Sequence, residues 1–425
     1  MMGDSTKGEI LIIGGGISGI SAAVEIAEFG HHVTIVEREP SLGGRVARSY
    51  QYFPKLCPPY CGLEIYYKRI RTNPNIDMIT MAEVEKIEGT VGGFEISIKI
   101  SPRYVNGKCT ACGDCADACP VERSNEWNYG MDKTKAIHLP HELSFPLRYV
   151  IDDSVCPGTE CAKCIPACKY DAIELDMQPV VQQIKADAVI VATGWKPYDV
   201  TNVDYYHFGQ FKNVITNIMM ERIASPNGPT GGKILRPSDQ KKVERIAFVQ
   251  CAGSRDESHL PYCSSVCCMA SLKQSNYVRE FNPEAIIHMF YIDLRAPGRQ
   301  EDFLQKMEKD EKLHLIKGKV ADIQETPGSG DLTVVAEDIY SGKKYHETVD
   351  LVVLATGMQP TLSDETVPFA ISPDKNGFFP ESNGSEEGIY FLGCAKSPAD
   401  VSTCIKDANG VALKAMQCIG RKDQS

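Results

Sequence analysis

The sequence predicts an α/β fold with two dinucleotide-binding domains and a cysteine-rich insert. Three observations support this prediction: a glycine fingerprint behind the first apolar strand, two later strands that both end in Ala-Thr-Gly, and an unusual total of 17 cysteines, many of them in two short runs. A chain of 425 residues is long enough for two or three domains. Its formal net charge of −11 argues against nucleic acid as the main partner.

The first motif is a glycine-rich turn after the first predicted strand. Gly14, Gly16 and Gly19 have the spacing G-x-G-x-x-G, and the next predicted strand, 33–37, ends in Glu37. The first glycine permits a tight turn, the second lets the backbone approach a pyrophosphate, and the third lets helix and strand pack closely. The helix N-terminus then faces the phosphates, and the acid can accept hydrogen bonds from ribose hydroxyls. We therefore expect a dinucleotide site here rather than a turn without a ligand.

The order of further motifs indicates which dinucleotide binds. A Gly-Gly-Arg segment follows the second strand, and a Gly-Cys-Ala turn precedes the last predicted helix. This order resembles flavoproteins of the thioredoxin reductase and glutathione reductase type, whose first, discontinuous domain binds FAD. That family usually has Gly-Asp at the last turn, where this chain has Cys394. The resemblance implies these FAD-binding residues: Gly14, Gly16, Ser18, Gly19, Glu37, Arg38, Gly43, Gly44, Arg45, Ala192, Thr193, Gly194, Gly357, Gly393, Cys394 and Ala395.

Two cysteine runs interrupt the first domain. The run from Cys109 to Pro120 has the bacterial ferredoxin spacing C-x2-C-x2-C-x3-C-P, whose fourth cysteine binds the other cluster of the module. The second run, 156–168, has two inserted residues, and Lys169 stands where proline is usual. Zinc and disulfides are the alternatives, although this rhythm of cysteines is unusual for zinc and an intracellular chain disfavours disulfides. We expect two [4Fe–4S] clusters with crossed ligands, one set being Cys109, Cys112, Cys115 and Cys168, the other Cys156, Cys161, Cys164 and Cys119.

A third cysteine set follows a strand of the second nucleotide-binding unit, where a pyridine-nucleotide enzyme would have its glycines. Its members are Cys251, Cys263, Cys267 and Cys268. NAD(P)H binding at this unit is therefore not expected. Four thiolates fit one more cubane, but a redox-active dithiol and buried structural thiols stay open on spacing alone.

The segment 248–269 carries a second resemblance. The residues FVQCAGSRD, continuing to PYCSSVCCM, resemble the signature of heterodisulfide reductase A-type subunits, in which this segment carries a [4Fe–4S] cluster beside FAD. The resemblance covers nearly the whole chain and implies a third cluster. Since the chain is short, it most resembles the A-type subunits of quinone-interacting membrane-bound oxidoreductase complexes, which are thought to link menaquinol to adenylylsulfate reductase in sulfate reducers.

The predicted organisation combines these motifs into one thioredoxin reductase-like flavoprotein with an inserted two-cluster ferredoxin module. Its segments are 8–102 and 179–239 for the FAD domain with a linker, 103–178 for the ferredoxin module, 240–350 for a degenerate second dinucleotide-type domain, and 351–425 for completion of the FAD domain.

Three further residues have alternative assignments. Cys57 and Cys61 follow the Gly-Gly-Arg segment and are expected near the flavin. Two cysteines cannot hold a cubane, so Cys394, Cys404 or another subunit would complete a site; simple packed thiols are the alternative. Lys273, on the predicted helix after the third cysteine set, can place a cation near the flavin and favour its reduced anion, with a solvated lysine as the alternative.

These features predict an oxidoreductase subunit that relays electrons between FAD and iron–sulfur clusters. The expected partners are a second flavin/iron–sulfur subunit and a membrane quinone-reactive subunit, with adenylylsulfate reductase as acceptor. The first ten residues lack a secretory signal, and no apolar run reaches the ~20 residues needed to span a bilayer. We expect a cytoplasmic protein, peripheral to the inner membrane through its partners.

Other functions stay open at this stage. One is that of an A-type subunit in another heterodisulfide reductase-like complex, acting on thiol disulfides or in sulfur oxidation. An NAD(P)H-dependent flavoprotein like the glutamate synthase small subunit would need a second glycine fingerprint. A scaffold with purely structural clusters would have redox-silent clusters.

Overall fold

The computed structural model describes residues 8–339, 342–365, 367–381 and 388–422. Residues 1–7, which make up most of the N-terminal stretch without a secretory signal, lie outside the described residues, as do 423–425 at the end of the last predicted segment.

The described chain consists of short strands with helices between them. The strands are β1 (Glu9–Ile13), β2 (His32–Glu37), β3 (Ile76–Thr80), β4 (Ala82–Glu88), β5 (Phe94–Ile100), β6 (Glu122–Ser124), β7 (Lys133–Lys135), β8 (Ile137–His138), β9 (Val150–Ile151), β10 (Val180–Ala186), β11 (Ala188–Val191), β12 (Trp195–Pro197), β13 (Val214–Thr216), β14 (Arg245–Ala252), β15 (Ile286–Tyr291), β16 (Leu313–Glu325), β17 (Leu332–Asp338), β18 (Lys344–Val349), β19 (Leu351–Thr356), β20 (Met358–Pro360) and β21 (Ile389–Phe391). The α-helices are α1 (Ile17–Glu28), α2 (Gly44–Ala47), α3 (Tyr60–Thr72), α4 (Asp114–Asp117), α5 (Cys164–Ala167), α6 (Asn217–Ala224), α7 (Cys267–Phe281), α8 (Gln300–Met307) and α9 (Val401–Lys422).

The first unit is a three-layer sandwich around a parallel sheet. Its five strands have the order β21-β11-β1-β2-β3 and pair in parallel. Side chains alternate between the two faces, as strand geometry requires. Ile10 and Ile12 pack into the core formed with α1, α3 and α9, whereas Leu11 packs against Ile96 and Ile98 of the antiparallel sheet β10-β5-β4. Burial on both faces explains why the central strands are uninterrupted apolar runs.

The second unit has a seven-stranded sheet of order β13-β19-β14-β15-β16-β17-β18. The first five strands are parallel, and β16 to β18 form an antiparallel meander. Helices α6, α7 and α8 cover one face through residues such as Leu272, while the meander covers the other through residues such as Val334.

The pairing of β19 corrects one predicted boundary. On sequence, the second unit is predicted at 240–350, and residues from 351 onward are predicted to complete the FAD domain. Instead, β19 lies between β13 and β14 in the second sheet, and β13 itself comes from the predicted linker. The apolar run of β19 suits the centre of either parallel sheet, because its pairing partner is not encoded in the run itself.

The cysteine-rich insert leaves and re-enters the first unit at two paired strands. β5 ends at Ile100 and β10 begins at Val180, and these two residues are partners in the antiparallel ladder. Between them the insert has a small core of its own, including Val105, Ile137 and Ile151. Because its two ends are neighbours in a ladder, the insert can fold without disturbing the sheets on which it sits.

Gly19 provides a test of the packing that positions the first turn. A Cβ at Gly19 would overlap the backbone carbonyl oxygen of Gly14, whereas a Cβ at Gly410 on the exposed side of α9 would meet nothing within 4 Å. We expect Gly19→Ala to lower the free energy of unfolding by about 1–3 kcal/mol, because backbone cannot move aside as a flexible side chain can. Gly410→Ala, the matched control, should be neutral or raise it by roughly 0.5–1 kcal/mol. Urea unfolding monitored by circular dichroism measures both, and equal effects of the two changes would contradict the predicted clash.

Candidate dinucleotide cavity and cysteine sites

A cavity of about 710 Å³ opens where the carboxyl ends of β1, β2 and β11 meet residues of the second unit and of the insert. This is the edge at which doubly wound sheets bind their ligands. The lining includes these residues expected from the sequence: Gly14, Gly16, Ser18, Glu37, Arg38, Gly44, Arg45, Ala192, Thr193, Gly194, Lys273 and Cys394.

The glycine turn leaves room for a ligand at the N-terminus of α1. Gly14 has φ +108° and its amide donates to the carbonyl oxygen of Val36 at 2.8 Å, which ties the turn between β1 and α1 to the end of β2. A Cβ at Gly16 would meet no atom within 4 Å. Thr193 Oγ1 is buried and has no hydrogen-bond partner among the described residues. An open glycine, an uncapped helix N-terminus and an unpartnered hydroxyl in one cavity fit a phosphate-containing dinucleotide.

Glu37 was expected to accept hydrogen bonds from ribose hydroxyls, but both of its carboxylate oxygens already accept hydrogen bonds from backbone amides. Its Oε2 accepts a hydrogen bond from the amide of Gly15 at 2.6 Å and its Oε1 one from the amide of Glu39 at 2.8 Å. Burial raises the pKa of this carboxyl, against the lowering effect of the two backbone amides. Glu37 therefore stabilises the glycine turn itself while it lines the cavity.

Five of the expected residues lie outside the cavity lining: Gly19, Gly43, Gly357, Gly393 and Ala395. Some of them contact residues next to the lining; for example, the amide of Gly43 donates to the carbonyl of Gly15 at 2.8 Å. Gly357 is elsewhere, because it follows β19 of the second sheet and its α-carbon faces Ser254 and Ser264. The amide of Gly393 donates to Asp407 Oδ2 at 2.8 Å, so an acid of α9 binds this turn although Cys394 replaces the usual aspartate.

The insert contributes cavity residues that no sequence motif predicted. Trp127 and His141 line the cavity and stack on each other with ring centroids 4.2 Å apart. Arg48 lies over the Trp127 ring at 4.8 Å, and Arg222 of α6 donates to the side-chain oxygen of Asn128 at 2.8 Å. Burial, together with these two arginines, lowers the pKa of His141 to about 3, so this imidazole is neutral at physiological pH. No local signal marks these residues, since only the docking of the insert brings them to the cavity.

Lys273 reaches the cavity wall as one half of a buried ion pair. Its side chain is 8% exposed and that of Glu221 is 10% exposed, with Nζ and Oε1 3.0 Å apart. Lys273 Nζ also donates to the carbonyl of Gln51 at 2.5 Å. Glu221 accepts three further hydrogen bonds, from the Tyr50 amide, Gln274 Nε2 and the Tyr277 hydroxyl. The lysine is therefore held in place rather than solvated.

The insert brings its cysteines together in two groups. A small cavity is lined by Cys119, Cys156, Cys161 and Cys164, which is the second of the crossed sets. In the first set, Cys115 lies close enough to Cys109 and Cys112 for their charges to raise its pKa. Cys168 packs in the same apolar cluster, and the neighbouring Lys169 forms a 3.0 Å ion pair with Asp114 of α4. The lysine that replaces the usual proline thus links the end of the second run to the loop of the first.

The third set occupies the turn between β14 and α7. Cys251 is at the end of β14 with φ +58°, and Cys267 and Cys268 open α7. Cys267 is within electrostatic range of the other three members of the set. The same helix α7 sends Met269 and Lys273 to the cavity.

A shared backbone feature links the third set to the ferredoxin loop. In the insert, the amide of Ala111 donates to Cys109 Sγ at 3.4 Å, and in the third set the amide of Ser265 donates to Cys263 Sγ at 3.3 Å. In both cases the donor lies two residues after the cysteine and has a left-handed conformation, with φ +57° and +62°. Amide hydrogen bonds to sulfur are one of the means by which proteins tune iron–sulfur clusters.

The electrostatics of these sets suit a group that supplies positive charge. Burial, reinforced by neighbouring thiols, raises the pKa of Cys251, Cys267 and Cys268, and burial raises that of Cys115 to about 12. Thiolates would therefore repel one another unless a metal centre stabilised them. Among the described residues no group of three His, Cys, Asp or Glu side chains is arranged to hold a single metal ion.

Cys57 and Cys61 are near the cavity entrance but apart from Cys394 and Cys404. They lie within electrostatic range of Tyr52, which lines the cavity, and Cys61 is exposed. Cys394 and Cys404 are buried together in another cluster, with Met358. The described contacts do not combine the two pairs into one ligand set.

Comparisons with known proteins agree with this architecture. Residues 12–69 match the model of the NAD(P)-binding Rossmann-like domain family. The chain is 39% identical over 417 residues to an A-type iron–sulfur subunit (the second form) of CoB–CoM heterodisulfide reductase from Methanopyrus kandleri, covering 95% of this chain and 63% of the relative. It is 36% identical over 423 residues to the A-type subunit of H2:CoB–CoM heterodisulfide,ferredoxin reductase from Methanothermobacter marburgensis, covering 97% of this chain and 64% of the relative. The chain therefore spans just under two thirds of the length of these homologues.

The structure of thioredoxin reductase from Lactococcus lactis matches with a TM-score of 0.54 at 14% identity, covering 98% of this chain and 100% of the other. The thioredoxin reductase-like α/β fold predicted from the sequence is confirmed. None of the helices in the described ranges is both long and apolar enough to cross a bilayer.

The Lys273–Glu221 pair yields a stability prediction. Glu221→Gln leaves a buried ammonium without its counter-charge and should lower the free energy of unfolding by about 3–5 kcal/mol. The double variant Glu221→Gln/Lys273→Met removes both charges and should recover a substantial part of that loss. Thermal and urea unfolding of the three proteins measure the effect. A single variant as stable as the parent would show that the lysine is solvated.

Proposed function

We propose that this chain is an FAD- and iron–sulfur-containing electron-transfer subunit of an oxidoreductase of the heterodisulfide reductase type, in the position of the A-type subunits. One observation carries the proposal: α7 begins with Cys267 and Cys268 of the third cysteine set, and it lines the dinucleotide cavity with Met269, the next residue, and with Lys273, five residues after Cys268. A redox cofactor in the cavity and a cluster at the helix start would thus share one rigid element. The homologues at 36–39% identity, named as A-type subunits of heterodisulfide reductases, support the same function.

The chain's own residues hold and shield these groups. A flavin exchanges one or two electrons and each [4Fe–4S] cluster exchanges one, so together they convert between the two kinds of transfer. The phosphates would bind beside Gly14, Gly16 and Thr193. On the side of the insert, the cavity is lined by Trp127 and His141. Lys273 keeps a cation at the wall, where it can favour a reduced, anionic ring.

Electron entry by NAD(P)H at the second unit is disfavoured by its geometry. A pyridine nucleotide would approach the turn after β14, but a Cβ at Gly253 in this turn would overlap the ring of Tyr198. Cys251 of the third cysteine set also lies at this turn, at the end of β14. Electrons would therefore enter and leave through contacts with partner proteins.

We further propose that the partners connect this subunit to menaquinol and to adenylylsulfate reductase. The sequence resemblance to the A-type subunits of quinone-interacting oxidoreductases favours this route over other heterodisulfide reductase-like complexes. In this scheme a membrane subunit oxidises the quinol, and a second flavin/iron–sulfur subunit docks beside this chain. Anaerobic copurification from the source cell distinguishes the two kinds of complex. A membrane subunit and adenylylsulfate reductase among the copurified proteins would support the quinone route, and their absence would favour another heterodisulfide reductase-like complex.

Iron content tests the three cysteine sets and their crossed ligands. The purified chain should contain about twelve iron atoms with one noncovalent FAD, and Cys267→Ala should remove about four of them. Cys119→Ala/Cys156→Ala removes two ligands of one crossed set and should leave about eight iron atoms, whereas Cys119→Ala/Cys109→Ala disrupts both sets and should leave about four. The reverse order for the two double variants would mean that each run binds its own cluster. Cys418→Ala, in α9, is the control with unchanged iron.

The quinone route is tested by reconstitution. Among the described helices none can cross a bilayer, and a net charge of −11 opposes binding to an anionic membrane surface. The isolated chain should therefore fail to oxidise menaquinol with or without liposomes, while the complete complex oxidises it. Quinol oxidation by the chain alone would place the quinone site in this subunit, contradicting the proposed route.

A further inference from the structure

Two cysteines outside the three ligand sets face each other in the cavity wall. Cys394 lies in the 3-10 turn Gly393–Ala395 after β21, and Cys404 lies in the first turn of α9. Their Sγ atoms are 3.8 Å apart, and both residues line the dinucleotide cavity. Their exposed fractions are 5% and 4%, so they reach solvent only through the cavity or by local opening.

The surroundings give the two thiols different properties. The two sulfurs are within hydrogen-bond distance of each other, the Cys394 thiol donates to the carbonyl of Ala399 at 3.4 Å, and the hydroxyl of Ser18 interacts with the Cys404 sulfur. The contacts with Cys394 and Ser18 lower the pKa of Cys404, whereas its partner and burial raise the pKa of Cys394. Cys404 also lies at the positive end of a helix that Asp400 caps by accepting from the Thr403 amide at 2.7 Å. The Cys404 sulfur is thus suited to attack a disulfide first, and the Cys394 sulfur to attack in the second step.

The backbone around the pair is fixed by contacts that do not involve sulfur. Asp407 of α9 accepts from the Gly393 amide and forms a 2.6 Å ion pair with Lys396. A Cβ at Gly393 would overlap Ser18 Oγ and come within 3.4 Å of Cys404 Sγ. The turn and the helix are therefore already held at the separation that the sulfur contact needs. A disulfide bond of about 2.05 Å requires the two sulfurs to approach each other by roughly 1.8 Å.

We propose that Cys394 and Cys404 form a reversible dithiol–disulfide couple in the wall of the dinucleotide cavity, with a small-molecule disulfide as oxidant. The Cys404 thiolate attacks one sulfur of the oxidant, forming a mixed disulfide and releasing one thiolate. The Cys394 sulfur then loses its proton, attacks the Cys404 sulfur and releases the second thiolate. Two cysteine thiols are oxidised to one disulfide, and one external disulfide is reduced to two thiols, so electrons and protons balance.

The couple is independent of the proposed clusters. Neither cysteine belongs to the sets assigned to iron, and the pair packs with Met358, Trp195 and Val266 rather than with Cys57 or Cys61. The formation of this disulfide therefore does not depend on the iron content of the protein.

Peptide mapping of the full-length holoprotein tests the couple. The protein is equilibrated anaerobically in buffers of reduced and oxidised glutathione at several ratios, quenched with acid and alkylated. Lys396 lies between the two cysteines, so trypsin separates them and only a disulfide joins the 376–396 and 397–406 peptides. We expect this joined species to dominate in the oxidising buffers and to be lost in the reducing ones, with iron content unchanged.

Variants test the order of attack. In Cys394→Ser the second step is blocked, so Cys404 should retain one glutathione, whereas Cys394 in Cys404→Ser should retain far less. Cys418→Ala, elsewhere on α9, should still form the joined peptide. Absence of the joined peptide at every glutathione ratio in the unmutated protein would overturn the proposal, as would pairing of Cys404 with Cys418 or with a ligand-set cysteine.

Discussion

Two parallel sheets converge on one cavity, and this convergence determines where the other sites lie. Parallel strands bring all their carboxyl ends to the same edge, so β1, β2 and β11 open the cavity from one side. Strand β14 of the second sheet ends near this cavity, and the loop after it leads into α7. The first two residues of α7 are cysteines, and its first two turns also reach the cavity. Any group bound at the cavity and any group bound by the third cysteine set are consequently neighbours by topology, without a special contact to join them.

Much of the first unit could be predicted because its signals are local. The spacing of Gly14, Gly16 and Gly19 requires a turn between a strand and a helix, and alternation in β1 determines which face each side chain meets. The cysteine runs also carry local signals, since a short loop with fixed spacing can gather three thiols, but the ligand sets inferred from them stay predictions. Sequence reasoning failed where long-range pairing decides the outcome. The strand β19 is as apolar as a central strand of either sheet, and only its ladder with β14 assigns it to the second.

The site residues that sequence reasoning missed also depend on long-range contacts. Glu221 on α6 was not singled out, although its partner Lys273 on α7 was. Their ion pair lies within the second unit, and the hydrogen bond from Lys273 Nζ to the carbonyl of Gln51 joins that unit to the first. Trp127 and His141 similarly come from the insert, more than a hundred residues of sequence from parts of the wall they complete. A buried cation is costly without a partner, so these contacts make the arrangement of the units and the properties of the cavity inseparable.

The second unit illustrates how one helix terminus can serve two kinds of anion. In a dinucleotide domain the glycine turn leaves the N-terminus of the helix open to a pyrophosphate, and the unpaired amides there favour negative charge. Here the turn after β14 has Cys251 in a left-handed conformation, the amide of Ser265 on Cys263, and two thiols on the first turn of α7. The cluster proposed for this set would also be an anionic group, so the same dipole and the same unpaired amides would stabilise it. In that case the fold would need no new scaffold to exchange a nucleotide site for a metal site: it would need cysteines in place of glycines, and the aromatic ring of Tyr198 packed against Gly253 of the turn.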